Sequence, residues 1–252
     1  MKTFIALITF FFLFTGLQVN GNSPDSDSSK SFQNDLNFEV NAGFYNKYMW
    51  RGITYNNGLV LQPEAVVNYK SLSFSVWSNI TVWDVDAVKS NEIDFCLSIS
   101  QSLLNFDIES SLNYYNYIKQ EGSPNTAEFF LGIGYPAGNF NFFARGYVDI
   151  IAYSGAVYGE VGAEYEKELS EHFSFSATLL ASIASKKFNE NYLEFSTGAF
   201  NIATGDLTIT YSPFKNFSIE PYFQYNMTIN EDLRELLNTH SGFIGINFRK
   251  EF

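Results

Sequence analysis

Acidic side chains are the largest set of groups in this chain that could bind or select a ligand. The 252 residues carry 27 Asp and Glu against 15 Lys and Arg, a formal net charge of -12. Many carboxylates recur on the polar side of segments in which polar and apolar residues alternate: Glu39, Glu64, Asp94, Asp107, Glu109, Asp149, Glu160, Glu164 and Glu220. The basic residues on that side are Lys47, Arg51 and Arg145. This balance excludes nucleic acid as a partner, because phosphates require a basic surface.

Three polar residues could form a cluster that selects or binds a solute. Arg51, Gln62 and Glu64 fall on the polar side of neighbouring segments. The alternative is an internal lattice of salt bridges and hydrogen bonds that stiffens the fold. Buried charges must be paired or hydrated, so both interpretations predict close partners.

Aromatic and amide side chains share this polar side. Trp77 and Asn79 lie on it two residues apart, and Tyr115, Tyr147 and Tyr222 have the same parity. The rings could stack against sugars along a transport path, or they could pack the interior of the fold. We favour interior packing, because a narrow barrel is largely filled by its own side chains.

The sequence predicts no enzyme active site, metal site or cofactor. It has two histidines, His172 and His240. Ser241 follows His240, but neighbours on a strand point to opposite faces and cannot act together as nucleophile and base. No group of His, Cys and carboxylates has the spacing of a metal site.

These residues are positioned by long segments with a period of two. From Leu36 onward, apolar and polar residues alternate over more than ten positions, with one side formed by Leu36, Phe38, Val40, Ala42, Phe44 and Tyr48. Such a strand is long for a globular protein and suits a tilted membrane strand. The pattern recurs to the C-terminus, so the apolar sides predict a transmembrane antiparallel up-and-down β-barrel, an all-β fold with the polar sides in its lumen.

The connections between the strands alternate in length, as in outer-membrane barrels. Short turns occur near residues 70–71, 103–105, 136–139, 170–172 and 213–216, and we place these on the periplasmic side. The other connections are predicted as external loops: 50–59, 84–91, 119–125, a tight one at 154–155, 185–190 and 230–239. In the last loop, Asn230 is expected to cap a helical turn that includes Leu233 and Leu237.

The strand number depends on residues 192–211. Read as one long strand, they give a barrel of 12 strands, which we prefer. Read as a hairpin that turns at residues 201–206, they require a further hidden strand and give 14.

The chain is expected to have three parts. Residues 1–21 resemble a cleaved signal peptide, with Lys2 before an apolar core that is too short to cross a bilayer as a helix. Residues 22–35 are polar and predict a disordered leader. Residues 36–252 form the barrel, which has one cysteine, Cys96, and therefore no internal disulfide.

The composition and the last strand indicate the outer membrane of a Gram-negative bacterium. Aromatic residues make up 18% of the chain while mean hydropathy stays near zero, which fits a barrel that exposes its apolar side to lipid. The chain ends in Phe252 after an amphipathic strand, and this strand resembles the signal read by the barrel-insertion machinery. Outer-membrane lipid and that machinery are therefore the expected partners.

The first third of the chain resembles a known family. Tyr48-Met49-Trp50-Arg51-Gly52, then Gln62-Pro63, then Trp77-Ser78-Asn79 are similar to the TorF-type porin family of outer-membrane proteins. The sequence departs from that pattern just before Trp77, where Leu72-Ser73-Phe74 replaces the expected Gly-Phe-Tyr. The resemblance implies a barrel in the outer membrane more firmly than it implies transport.

The sequence thus predicts a channel for small hydrophilic solutes. The acidic lumen would favour cations over anions if it is open to water. The alternative is a plugged structural barrel, or one that binds a ligand or partner through its external loops.

Overall fold

The computed structural model describes residues 35–83, 90–118, 120 and 123–252. The expected signal peptide and nearly all of the expected leader lie outside the described residues. The described residues contain fourteen strands: β1 Leu36–Tyr45, β2 Tyr48–Trp50, β3 Ile53–Asn56, β4 Val60–Tyr69, β5 Leu72–Thr81, β6 Glu92–Leu103, β7 Phe106–Tyr117, β8 Thr126–Ala137, β9 Phe140–Asp149, β10 Val157–Ser170, β11 Phe173–Ala184, β12 Ala199–Phe214, β13 Phe217–Thr228 and β14 His240–Glu251.

Twelve of these strands form a closed antiparallel barrel, and β2 and β3 form a separate two-stranded sheet. β1 closes the barrel because it pairs with β4 on one side and with β14 on the other, where Ala42 lies opposite Phe248. Closure gives every strand two neighbours, so no row of unpaired N–H and C=O groups is left at a sheet edge. The predicted 12-stranded barrel is confirmed.

The two faces of the barrel differ sharply in polarity. The outer face exposes large apolar side chains on most of the barrel strands, among them Phe38, Leu112, Leu131, Leu179 and Ile244. The inner face buries polar side chains such as Asp94, Asn113, Glu128, Ser182 and Glu220. An apolar outer face of this extent fits the hydrocarbon of a bilayer and not water.

The short connections all lie at one end of the barrel, which we call the turn end. Four of these five turns place a residue in the left-handed region, with φ of 54° at Lys70, 57° at Leu104, 65° at Gly138 and 61° at Asn216. Tight hairpin turns need positive φ to match the twist of the strands. Both ends of the strand array, Leu36 and Glu251, lie at this end too.

The longer connections lie at the opposite end, the loop end, and include two helices. α1 spans Lys186–Leu193, and the side chain of its N-cap Ser185 accepts a hydrogen bond from the Phe188 N–H. A 3-10 turn at Glu231–Leu233, capped by Asn230 as expected, leads into α2, Arg234–Leu237. No helix among the described residues is both long enough and apolar enough to cross a bilayer.

The structure corrects the interpretation of residues 192–211. They were expected to be one strand or a hairpin, but α1 extends to Leu193 and β12 begins only at Ala199. β12 then runs without a turn to Phe214, so residues 201–206 are strand and the count of 12 holds.

A lysine on the outer face should destabilise the barrel far more than one on the inner face. Leu112 and Asn113 are adjacent in the middle of β7. The Leu112 side chain points outward to the lipid face, and the Asn113 side chain points inward to the lumen. We expect Leu112→Lys to lower the free energy of unfolding in lipid vesicles by about 2–4 kcal/mol, because the ammonium enters hydrocarbon. Asn113→Lys, the matched control, should cost clearly less, and equal losses would contradict the assignment of faces.

Candidate functional site

The first long connection folds into the barrel and not outward. Residues 48–56, which comprise β2 and β3, are here called the plug hairpin. β1 ends at Tyr45, and the next residue, Asn46, bonds to β14 through its backbone N–H and its side chain. The chain then turns inward, so the prediction of residues 50–59 as an external loop was wrong. Tyr48 was expected on the lipid face and is instead buried inside.

Arg51 and Gly52 form the tip of the plug hairpin. Their φ angles are 50° and 81°, and a type I′ turn requires positive φ at both central residues. A side chain at position 52 would also meet Ile202, whose Cγ2 would lie 3.0 Å from the added Cβ. The Arg-Gly pair therefore allows a tight tip that carries one charged side chain into the lumen.

A buried ion pair fixes this tip to the barrel wall. Both terminal nitrogens of Arg51 donate to the two carboxylate oxygens of Glu128 at 2.7 Å. The Tyr115 hydroxyl donates to the same carboxylate at 2.6 Å. The Arg51 side chain is 6% exposed and that of Glu128 is 2% exposed. A bidentate pair of this kind fixes orientation as well as distance.

Aromatic rings enclose the Arg51 guanidinium. Its central carbon lies 4.2 Å from the Trp50 ring centre, 4.4 Å from those of Tyr147 and Tyr158, and 5.4 Å from that of Phe188. Guanidinium groups bind the faces of such rings. Because a guanidinium is more weakly hydrated than an ammonium, its burial costs less free energy of dehydration. These four rings, here called the aromatic box, therefore accommodate the side chain of Arg51 better than that of a lysine.

The base of the plug hairpin is fixed to nearby strands of the same wall, β5 and β6. The Tyr48 hydroxyl donates to Glu92 at 2.9 Å, and the Tyr48 ring lies 5.8 Å from that of Trp77. Asn56 donates to the Thr81 hydroxyl at 3.1 Å. Burial raises the pKa of Tyr48 well above its ordinary value and Glu92 raises it further, so this hydroxyl stays protonated and continues to donate.

Loop residues pack over the plug hairpin and narrow the loop end. Phe188 of α1 is buried with Trp50, Tyr158 and Ala184. A second cluster joins Leu193 and Ile202 to Leu233 and Leu237 of the last loop. We call these two clusters the apolar cap. The sequence showed the helical turn of the last loop, but it gave no sign that this turn packs against α1.

The structure separates the three residues proposed as one polar cluster. Arg51 pairs with Glu128, as described above. Gln62 donates to Asn79 at 3.0 Å, and Glu64 accepts from Asn41 at 3.0 Å. The single cluster was therefore wrong, because the inward turn of the plug hairpin carries Arg51 away from β4.

Two cavities beside the plug hairpin are lined by inward-facing residues of the barrel. The first, of about 380 Å³, extends from the turn end at Lys70 and Ser71 to Tyr48 and Met49 of the plug hairpin. The second, of about 130 Å³, lies beside the tip of the plug hairpin at Trp50, Arg51 and Gly52.

The proposed lumen residues divide between these cavities and the barrel wall. The first cavity is lined by Glu39, Gln62, Glu64 and Trp77. The second is lined by Arg51, Glu109, Arg145, Glu160 and Glu164. Glu220 lines a third cavity, of about 210 Å³, near the turn end, and Asp107 lines a small pocket of about 10 Å³ that it shares with Glu109. Asn79 and Asp149 line none of these four.

Charged networks line the first cavity, and sequence reasoning missed one of their members. Arg249 of β14 lies 3.3 Å from Glu39 and 3.4 Å from Glu220, and it bridges strands at the barrel closure. Its inward parity was visible in the sequence. In the second cavity, Arg145 lies 3.9 Å from Glu160.

Other predicted lumen residues have structural partners. Asp149 is buried and accepts hydrogen bonds from the Thr126 hydroxyl and from the backbone N–H groups of Ile151 and Tyr153, which orders the tight loop after β9. Asp107 accepts from Ser102 close to the turn end. Both are better explained by local structure than by solute binding.

The two histidines lie apart from both cavities. His172 is in a short turn and lies 3.6 Å from Glu171. His240 is exposed and stacks on Tyr225, with its Nδ1 2.8 Å from the tyrosine hydroxyl. Among the described residues, no three His, Cys, Asp or Glu side chains are grouped closely enough to hold a metal ion.

Solved structures with a similar barrel include porins and an outer-membrane channel. The NanC porin matches with a TM-score of 0.56 and 11% identity, covering 84% of this chain and 98% of that chain. The KdgM porin, solved in complex with disordered oligogalacturonate, gives 0.53 and 10%, covering 86% and 99%. An outer-membrane channel from Pseudomonas putida F1 gives 0.51 and 9%, covering 92% and 100%. The chain has a porin-like fold.

Sequence comparison adds no closer assignment. No protein-family model matches the chain, and no curated protein matches it. The TorF-type resemblance thus depends on the motifs at residues 48–52, 62–63 and 77–79 alone. The structure brings part of these motifs together, since Tyr48 contacts Trp77 and Gln62 binds Asn79.

Removing Arg51 should destabilise the barrel and release the tip. Arg51→Ala leaves the Glu128 carboxylate buried without its ion partner, so we expect a loss of about 3–5 kcal/mol in the free energy of unfolding in urea. The double variant Arg51→Met, Glu128→Met removes both charges. Its loss in the free energy of unfolding should be markedly smaller than the sum of the losses in Arg51→Met alone and Glu128→Met alone. Additive losses would show that the two side chains do not interact.

Proposed function

We propose that this protein is an outer-membrane channel for small hydrophilic solutes whose lumen is constricted by the plug hairpin. The single observation that carries the proposal is the arrangement around the two cavities: polar and charged side chains line an interior enclosed by a barrel with an apolar outer face. In porins, a polar interior of this kind holds a water-filled channel.

We further propose that the channel prefers cations. The second cavity is lined by four carboxylates and two guanidinium groups, and one of the latter, on Arg51, is paired with Glu128. A narrow passage with excess negative charge raises the local concentration of cations.

We place the protein in the Gram-negative outer membrane, with the loop end outside and the turn end in the periplasm. A cleaved signal peptide at residues 1–21 would export it, and the strand that ends at Phe252 would be read by the insertion machinery. We also propose that this chain belongs to the TorF-type porin family. The short turns and the apolar outer face support the orientation and the location.

A specific observation favours a second candidate, a plugged barrel that acts through its external loops. The apolar cap packs Phe188, Leu193, Leu233 and Leu237 over the plug hairpin, and all four are buried. If this packing closes the loop end, solutes cannot cross.

Planar-bilayer recordings of the refolded protein in KCl separate the two candidates. A channel gives discrete current steps, and under a KCl gradient the reversal potential should have the sign of cation selectivity. Arg51→Ala, which frees the tip, should give larger steps than the unmodified protein. Lys215→Ala, in an exposed short turn at the other end of the barrel, is the control and should leave step size unchanged. Silence at every voltage in all three proteins would favour the plugged barrel.

A further inference from the structure

One aromatic ring of the first cavity lies flat on the barrel wall. The ring of Tyr45 spans two neighbouring strands, with one edge over Gly43 of β1 and the other over Gly245 of β14. A Cβ atom at either glycine would clash with the ring, so the two glycines make room for it. Tyr45 is partly exposed and lines the cavity. Because one face of the ring lies on the wall, its exposed face is directed into the lumen.

Two further rings stand upright beside Tyr45. The ring centres of Tyr222 and Phe243 lie 6.1 Å and 5.9 Å from that of Tyr45, at interplanar angles of 87° and 79°. Both rings are buried together with Met49 of the plug hairpin. The flat ring thus forms a floor that the upright rings border. An aromatic floor of this kind suits a ring-shaped ligand with an apolar C–H face.

Two amide side chains flank the flat ring. Gln62 of β4 and Asn247 of β14 lie opposite Gly43, one on each side, and both line the cavity. Residues paired in this way have Cα atoms about 4.5–5.5 Å apart, so both amides lie close to a ligand placed on Tyr45. Each amide nitrogen already donates to a neighbouring side chain. The amide oxygens accept no hydrogen bond from another described residue, which leaves them for ligand hydroxyl groups.

The charged groups around the first cavity nearly cancel. Arg249 is shared by Glu39 and Glu220, and Asn41 donates to both Glu39 and Glu64. With the ion partners of the lining residues included, four carboxylates face three cations: Asp35, Glu39, Glu64 and Glu220 against Lys47, Lys70 and Arg249. A lining so close to neutral attracts ions of either sign weakly. It therefore favours a ligand without charge.

We propose that the first cavity binds a neutral pyranose sugar, with the sugar ring stacked on Tyr45 and its hydroxyl groups bonded to Gln62 and Asn247. The cavity volume of about 380 Å³ lies within the range of roughly 300–1,000 Å³ that is usual for small-molecule sites. The sugar would enter from the turn end, because the base of the plug hairpin borders the inner end of the cavity. The inference goes beyond the proposed channel, since binding requires neither conduction nor cation preference.

Saturation-transfer NMR of the whole folded barrel with methyl β-D-glucopyranoside tests the proposal, in a detergent without a sugar headgroup. We expect saturable transfer that is strongest at the ring C–H protons. Tyr45→Leu removes the flat ring and should raise the Kd about tenfold, because one aromatic stacking contact is lost. Gly43→Ala displaces the ring, removes no polar group of the cavity, and should weaken binding as well. Tyr135→Leu, the same change as Tyr45→Leu on the exposed outer face of β8, is the matched control and should leave the Kd unchanged.

Three outcomes would overturn the proposal in variants that keep the heat-dependent gel shift of a folded barrel. The first is no saturable transfer to the glucoside from the unmodified protein. The second is equal weakening by Tyr45→Leu and Tyr135→Leu, which would show binding without a local site. The third is tighter binding of D-glucuronate than of the glucoside, which would show selection of an anion. The NMR experiment measures no ion current, so it can fail while the barrel conducts KCl, and it can succeed while the barrel is silent.

Discussion

The structure depends on one constraint, that backbone N–H and C=O groups in hydrocarbon must bond to each other. A sheet meets this constraint only when its first and last strands pair, as β1 and β14 do. Closure then fixes the direction of the side chains. Because side chains alternate along a strand, the apolar ones point to lipid and the polar ones point into the narrow lumen. Those buried charges must find partners there, and Arg249 with Glu39 and Glu220 is one such group across the closure.

The same need for partners explains the plug hairpin. An acidic interior attracts a cation, and the chain supplies one itself by folding Arg51 inward to Glu128 and an aromatic box. The hairpin divides the interior, so the first cavity opens toward the turn end while the second lies beside the tip. The proposed conduction and the proposed preference for cations both depend on how much of the lumen this division leaves accessible.

The sequence predicted the barrel well because its evidence is local. Alternation along each strand and the short turns between them sufficed for the architecture and the strand number, and Asn230 marked the helical turn of the last loop. The site was predicted less well because its contacts join distant parts of the chain. Arg51 and Glu128 are 77 residues apart, and no spacing rule links them. Tyr48 has the lipid-facing parity of β1, but β1 ends at Tyr45, so parity no longer decides which way Tyr48 points. The residues of α1 were predicted to be loop and strand, although Ser185 is a typical helix N-cap.

The central claim, that lipid and lumen alternate residue by residue around a closed barrel, is tested most directly by a nitroxide scan of β7. Single cysteines would replace residues 106–117 in turn, in a Cys96→Ser background, with the protein in lipid vesicles. We expect collisions with oxygen dissolved in the lipid to peak at every second site, in phase with Leu112, and to fall at the sites in phase with Glu109 and Asn113. Uniform oxygen collision along the strand, or a period other than two, would contradict it.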